Sequence, residues 1–259
     1  MALSVEQNKY IQQVIKTSLR NKFQNYKPET SNMPFHFRLL GKDRMALYSF
    51  IQSLNTTFGT SIFEPVAVAI AKNHFAKAQS QYIVGNSISE GCQKAIQIIM
   101  NQLTVGKSPN KTKELEELRK SVAEGKINEI KTVKVDLFIE SKDGNQFLFD
   151  LKTAKPNISN FKDFKRTLLE WAGITLTQNI DVKVNTLNAI PYNPYEPAPY
   201  ERWTIKGMLD DIQELKVAEE FWDFLGGQGT YKDLLDCFEQ AGIELRSEID
   251  DYFGKFNKK

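Results

Sequence analysis

The chain has 259 residues, 41% hydrophobic and 25% charged, close to globular averages and long enough for one large domain or two small ones. No stretch approaches the roughly 18 consecutive apolar residues of a membrane span, and the N-terminus, Met-Ala-Leu-Ser-Val-Glu-Gln, lacks the basic and apolar regions of a secretory signal. The net charge of +2 hides an asymmetry: residues 207–253 hold 3 Lys/Arg against 13 Asp/Glu, leaving a net +12 on the rest, so a basic face can take phosphates while an acidic region turns away.

Ser4 and Gln7 form a capping box for a helix running to about residue 24, with Ile11, Val14, Ile15 and Leu19 at helical spacing. Residues 26–40, with Pro28 and Pro34, read as a connection, and a second helix covers 42–57. Residues 58–65 then lead into Val-Ala-Val-Ala-Ile-Ala-Lys, apolar on most of its surface and so a buried helix. Pro65 suits its first turn. Glu64 beside it either complements the positive helix end or supplies a carboxylate to a site next to a sheet. Ser87 and Glu90 form a second capping box, for a helix over 88–103, so Glu90 reads first as a cap and is the alternative third carboxylate. His74 has no second His or Cys at helical spacing and reads as structural. Cys92 and Cys237, both in helical patterns, offer neither metal-ligand spacing nor a disulfide framework, which suits a reducing cytoplasm. Residues 106–126 are strongly polar and suggest an exposed helix after a basic linker.

The chemistry concentrates at residues 131–153. Two runs rich in β-branched and aromatic residues flank Lys142-Asp143-Gly144, the signal of a β-hairpin. With Gly144 left-handed in a three-residue loop, Ser141 pairs with Asn145. Counting outward, Asp136 then lies opposite Asp150, with Cβ atoms about 4.5–5.5 Å apart, where like charges destabilise a sheet. A divalent cation between them turns that cost into a site. Lys152, two residues beyond Asp150, shares its face. A two-residue turn would shift the register by one and turn Asp136 away.

Beyond the hairpin, Lys155 and Asn157 lie in a loop leaving the second strand, and a helix over 158–172 carries Lys162, Lys165 and Arg166. These polar and basic residues are placed to meet phosphates beside the end of the hairpin. A third strand over 180–190 is expected to continue the sheet, with an Asn and Lys content unusual for a buried strand. Residues 191–203, with four prolines and three tyrosines, stiffen into extended backbone. There Asn193, Tyr195 and Arg202 present groups suited to DNA, Asn and Arg being readers of base edges; the alternative is an ordered connection over the core. Helices are expected over 206–225, from Thr230, and over 247–256, the first two joined by a Gly-Gly-Gln-Gly turn.

The Asp136…Asp150-Leu151-Lys152 pattern resembles the signature of the PD-(D/E)xK nuclease superfamily, with Val135 in place of the usual proline. Phe-Glu-Pro at 63–65, Asp-Leu-Lys-Thr at 150–153, Pro-Tyr-Asn-Pro-Tyr-Glu-Pro at 191–197, Glu-Arg-Trp-Thr at 201–204 and Glu-Phe-Trp-Asp-Phe-Leu-Gly-Gly at 220–227 together resemble the TdeIII family of type II restriction endonucleases. The resemblance implies an α/β (α+β) restriction-endonuclease-like core, a mixed β-sheet flanked by helices. It also implies one nuclease domain over 1–259: a helical part to 126, the catalytic sheet and DNA-contacting loop over 127–206, and an acidic helical part from 207. The implied activity is Mg²⁺-dependent double-strand cleavage of a short palindrome, GGNCC, by a homodimer on double-stranded DNA, with a cognate methyltransferase as functional counterpart. Asp136, Asp150 and the Leu151 carbonyl would hold the ion, Lys152 would serve the attacking water, and Glu64 would complete the shell or hold a water of the metal. The alternatives are a nuclease of repair or junction cleavage on the same core, or an inactive DNA-binding protein.

Overall fold

The loop at Lys142-Asp143-Gly144 fixes the register of the sheet. In the computed structural model, which describes residues 2–29, 32–152, 160–201 and 207–256, the Ser141 N–H donates to the Asn145 carbonyl at 2.9 Å and Gly144 has φ 81°. That conformation carries little cost in a residue without a Cβ. The loop joins β2 (Ile127–Glu140) to β3 (Gln146–Leu151), with Glu140 opposite Gln146 and Leu137 opposite Phe149. With β1 (Lys77–Ser89), β4 (Val184–Ile190) and β5 (Leu215–Val217) they form a sheet in the order β1-β2-β3-β4-β5. The pairings of β1 with β2 and of β2 with β3 are antiparallel, whereas β3, β4 and β5 run parallel. This is the expected mixed sheet flanked by helices.

Successive side chains point to opposite faces, and each face has its own core. Leu148, Val184 and Ile190 pack with Cys92, Ile96, Leu118 and Leu168 under α5 (Glu90–Thr104), α6 (Lys111–Ser121) and α7 (Phe161–Gln178). Leu137, Phe149, Leu187 and Ala189 pack on the other face with Ile11, Val66, Phe221 and Trp222. Those last four belong to α1 (Val5–Asn25), α4 (Glu64–Ala71) and α8 (Glu219–Gly226), with α9 (Thr230–Glu244) beside them. Each such large apolar side chain contributes about 1.5–3 kcal/mol when fully buried. The remaining helices are α2 (Pro34–Leu40), α3 (Lys42–Thr57) and α10 (Arg246–Gly254). The acidic C-terminal part grips α1: Glu244 pairs with Lys16 and Glu248 with Arg20, each at 2.7 Å. Among the described residues no helix is long and apolar enough to cross a membrane, and Cys92 and Cys237 are buried and unpaired.

Several expectations need correction, beginning with the connection over 26–40, of which Pro34–Leu40 form α2. The stretch to 126 is not purely helical, since it contains β1, whose pairing to β2 is a long-range choice. Ser87 lies in β1, and the cap of α5 is Ser89, whose hydroxyl accepts from the Cys92 N–H. Residues 106–126 are not all exposed: α6 inserts Leu118 into the core and buries Lys111 and Glu114. Residues 206–225 do not form one helix. Leu215 and Val217 are drawn into β5 beside β4, and Ala218, at φ 48°, breaks the chain direction before α8 begins.

Candidate active site

The paired register of β2 and β3 ends at Leu137 opposite Phe149, and Asp136 and Asp150 are the next residues beyond that pair on the two strands. The Asp136 carboxylate accepts the Leu151 N–H at 2.8 Å, and Lys152 Nζ lies 2.7 Å from Asp150 Oδ2. Two carboxylates and an ammonium therefore meet where β3 ends. Lys152 also sits over the Phe164 ring of α7, 4.5 Å from its centroid, a cation–π contact that fixes the direction of its flexible stem. Burial raises Asp150 to about 6, against the opposing pull of Lys152 and with the reinforcing charge of Asp136. A carboxyl in that condition accepts a cation readily, because the cation repays its lost hydration.

Glu64 joins from the other side of the cleft. It was read as standing at a helix start, but no helix start exists there. α3 runs without interruption through a π-helical turn, Phe58–Phe63, into α4, and the Glu64 N–H donates to the Gly59 carbonyl five residues back. The wider turn accommodates Pro65, which lacks an N–H and crowds the preceding turn of a regular helix. The dipole-capping reading of Glu64 therefore fails. Its carboxylate is buried and accepts from Gln81 Nε2 at 2.9 Å. Burial raises it above the usual carboxylate range, Gln81 opposes the shift and Asp136 adds to it. Glu64, Asp136, Leu151 and Lys152 line one cavity of about 250 Å³ with Phe63 and Tyr192. Glu90 is elsewhere, paired with Lys94 at 2.8 Å.

Gln81 escaped the sequence reading. Ser80 pairs with Leu137 and Tyr82 with Val135, so Gln81 lies across from Asp136, and its φ of 50° is left-handed. A non-glycine residue there costs on the order of 1–3 kcal/mol and is a feature of functional sites. No local motif announces it, because the signal is the pairing of β1 with β2.

Among the described residues no three His, Cys, Asp or Glu side chains gather closely enough to share one ion. Two facing carboxylates and the Leu151 carbonyl nevertheless fit a hard divalent cation such as Mg²⁺, which takes one or two protein carboxylates and keeps several waters.

The DNA-contact candidates divide. Lys155, Asn157 and Arg202 lie outside the described residues. Lys162 is exposed on α7. Arg166 donates to the Gln97 side-chain oxygen at 2.9 Å. Asn193 spends its amide on its own loop, donating to the Ala198 carbonyl at 2.7 Å and accepting the Tyr195 N–H at 2.9 Å. Tyr195 packs near Tyr200, ring centroids 5.9 Å apart. The loop is also tied to the core, with Trp222 Nε1 donating to the Pro191 carbonyl at 2.8 Å. Lys165 is a correction. It is fully buried and pairs with Glu114 and, at 2.6 Å, with Glu214, so its ammonium faces the interior and not DNA.

A mixed sheet with helices on both faces, carrying opposed aspartates and a lysine where a central strand ends, defines a restriction-endonuclease-like protein. The family model of the HinfI type II restriction endonuclease matches residues 3–242, and the chain belongs to that family. Similar proteins include the type II restriction enzymes HgiCII and HgiEI of Herpetosiphon aurantiacus, each 30% identical over 221 residues, which is 83% of this chain and 80% and 79% of theirs. The type II restriction enzyme MjaII of Methanocaldococcus jannaschii is 28% identical over 253 residues, 87% of this chain and 66% of its own. The sequence blocks pointed to TdeIII and the matching model is that of HinfI; the two agree on a type II restriction endonuclease.

Proposed function

We propose that this chain is a Mg²⁺-dependent endonuclease that cuts both strands of a short palindrome, with Asp136, Asp150 and Lys152 as its catalytic centre. The observation that carries the reading is the meeting of these groups where β3 ends, with Lys152 Nζ 2.7 Å from Asp150 Oδ2 and the Asp136 carboxylate accepting the Leu151 N–H at 2.8 Å. Hydrolysis of a phosphodiester requires an activated water and compensation of the charge that grows on the phosphate oxygens. Asp136, Asp150 and the Leu151 carbonyl would hold a cation, which would supply Lewis acidity and acidify a bound water there. Lys152, released from Asp150, orients the water and offsets phosphate charge. Glu64, steadied by Gln81, holds a water at the cavity wall.

A two-fold palindrome calls for a homodimer, each copy cutting one strand. The TdeIII resemblance makes GGNCC the site to test, with Asn193, Tyr195 and Arg202 as the candidate readers and Lys155, Asn157, Lys162 and Arg166 on the backbone. The setting is the cytoplasm, beside a methyltransferase that protects the host's own sites. The test is digestion of a plasmid of known sequence with Mg²⁺, followed by mapping of the ends. Discrete ends at one palindrome are expected. Ends scattered over many sequences would assign the core to repair, and intact plasmid with bound protein would make it a DNA-binding relic.

A further inference from the structure

The row of side chains that runs across the sheet through the site does not stop at Asp150. Asp150 on β3 is in register with Asn188 on the parallel strand β4. Side chains in register on neighbouring strands share a face, so Asn188 stands beside the Asp150 carboxylate. Asn188 is 2% exposed, and neither Oδ1 nor Nδ2 of its amide has a hydrogen-bond partner. Its neighbour on the same face of β4, Thr186, is fully buried and satisfied by Lys111 Nζ at 2.6 Å. The polar seam under α7 is thus closed up to Thr186 and open at the residue next to Asp150.

Folding does not account for this residue. A buried donor or acceptor without a partner loses its hydration with nothing in return, whereas an apolar group of the same shape does not. A leucine would serve the core better. Next to it is the Asp150 carboxylate, whose Oδ2 is held by Lys152 at 2.7 Å. Carboxylates that ligate metals are themselves held by outer hydrogen bonds, and the Asn188 amide is the free donor within the row.

We infer that Asn188 is a positioning residue for Asp150: its Nδ2 donates to the carboxylate once Asp150 has left Lys152, fixing the orientation that binds the cation and freeing Lys152 for water and phosphate. This rests on the reading of Asp136, Asp150 and Lys152 as the catalytic centre.

The test compares wild type, Asn188→Leu, Asn188→Ala and Asp150→Ala. Three quantities are measured: melting temperature in chelator, binding of Ca²⁺ to the protein–duplex complex by calorimetry, and single-turnover cleavage against Mg²⁺ concentration. Asn188→Leu is expected to melt at or above the wild-type temperature, while its Ca²⁺ affinity and its cleavage at limiting Mg²⁺ each fall about 10–100-fold. A purely structural residue would move melting and leave the Ca²⁺ affinity alone. Should leucine fail to pack, Asn188→Ala gives the same readout without added bulk. Wild-type Ca²⁺ affinity in whichever variant folds overturns the inference. If Asp150→Ala also cleaves normally, the catalytic centre itself is misplaced; if Asp150→Ala is dead and the Asn188 variant is normal, only the role of Asn188 falls.

Discussion

Two clusters of charge lie against α7 at the neighbouring residues Phe164 and Lys165, and they are built on opposite principles. Lys165 reaches inward to Glu114 and Glu214, and Lys111 completes the quartet at 2.9 Å from Glu214 and 2.6 Å from Thr186. Two ammonium groups meet two carboxylates, and none of the four residues is more than 6% exposed. Burial pushes Glu214 up, but Lys111 and Lys165 outweigh it and hold the carboxyl below its usual range. Phe164, the residue before, carries Lys152 instead, which pairs with Asp150 at 2.7 Å and lines an open cavity with Glu64 and Asp136. There Glu64 and Asp150 are raised, not lowered. A cluster whose charges cancel holds helices together. A cluster with surplus acid beside a cavity is what the proposed cation site requires.

The sharpest way to break this contrast is to remove one member from each cluster. Asp150→Ala, which removes a proposed cation ligand, and Lys152→Ala, which removes the group that serves the water, are each expected to lower plasmid cleavage by about 10²-fold or more, with a cooperative fold and DNA binding retained. Cleavage at the wild-type rate in either variant refutes the catalytic assignment. Lys165→Ala or Glu214→Ala is expected to do the reverse. Removing one partner of a buried pair leaves uncompensated charge and costs about 3–5 kcal/mol, read by chemical denaturation, while cleavage per folded molecule is kept. A Lys165→Ala protein of full stability and weakened DNA affinity would return that lysine to the DNA face.

That lysine also marks where the sequence stopped being informative. The capping box of α1, the extent of α3 and the loop at Gly144 are local, so each is decided by residues a few positions apart, and the opposed aspartates follow from counting. Lys162, Lys165 and Arg166 look alike in a helical pattern, and only the packing of α7 on α6 and β4 selects Lys165 for burial. β1 was missed because its residues Lys-Ala-Gln-Ser-Gln-Tyr-Ile-Val-Gly-Asn-Ser-Ile-Ser lack the apolar alternation of a half-buried strand; it is an edge strand paired on one side, to β2. Gln81 was lost with it. β5, three residues long, has no pattern of its own and exists because β4 offers an open edge. The Asn188 amide was visible as an unusual strand residue, but its nearness to Asp150 depends on the parallel pairing of β3 with β4.

Proton linkage offers a gentler probe of the surplus acid. Asp150 is raised from 3.8 to about 6, so the folded state prefers its neutral form. Stability from that preference is complete below the unfolded pKa and is lost as pH rises through about 6. In metal-free buffer Asp150→Asn is therefore expected to gain stability relative to wild type between pH 4 and pH 7, by at most about 3 kcal/mol at 1.36 kcal/mol per pKa unit. Loss of the Lys152 pair reduces that gain. Parallel pH–stability curves for the two proteins would remove the surplus-acid argument at this position.

Glu64 sets the smallest and most discriminating effect. Its carboxyl is raised chiefly by burial, so it too destabilises the fold as it ionises, and Glu64→Gln removes that charge while leaving an amide oxygen for Gln81. The variant is expected to melt slightly above wild type at pH 7.5 and slightly closer to it at pH 4.5. Its cleavage should fall about 10-fold, the loss of a group that acts through a water and not as a direct ligand. A collapse as deep as that of Asp150→Ala would put Glu64 among the cation's own ligands. No loss at all would leave the π turn of α3 and the strained Gln81 without a functional reason, and the site would shrink to the hairpin alone.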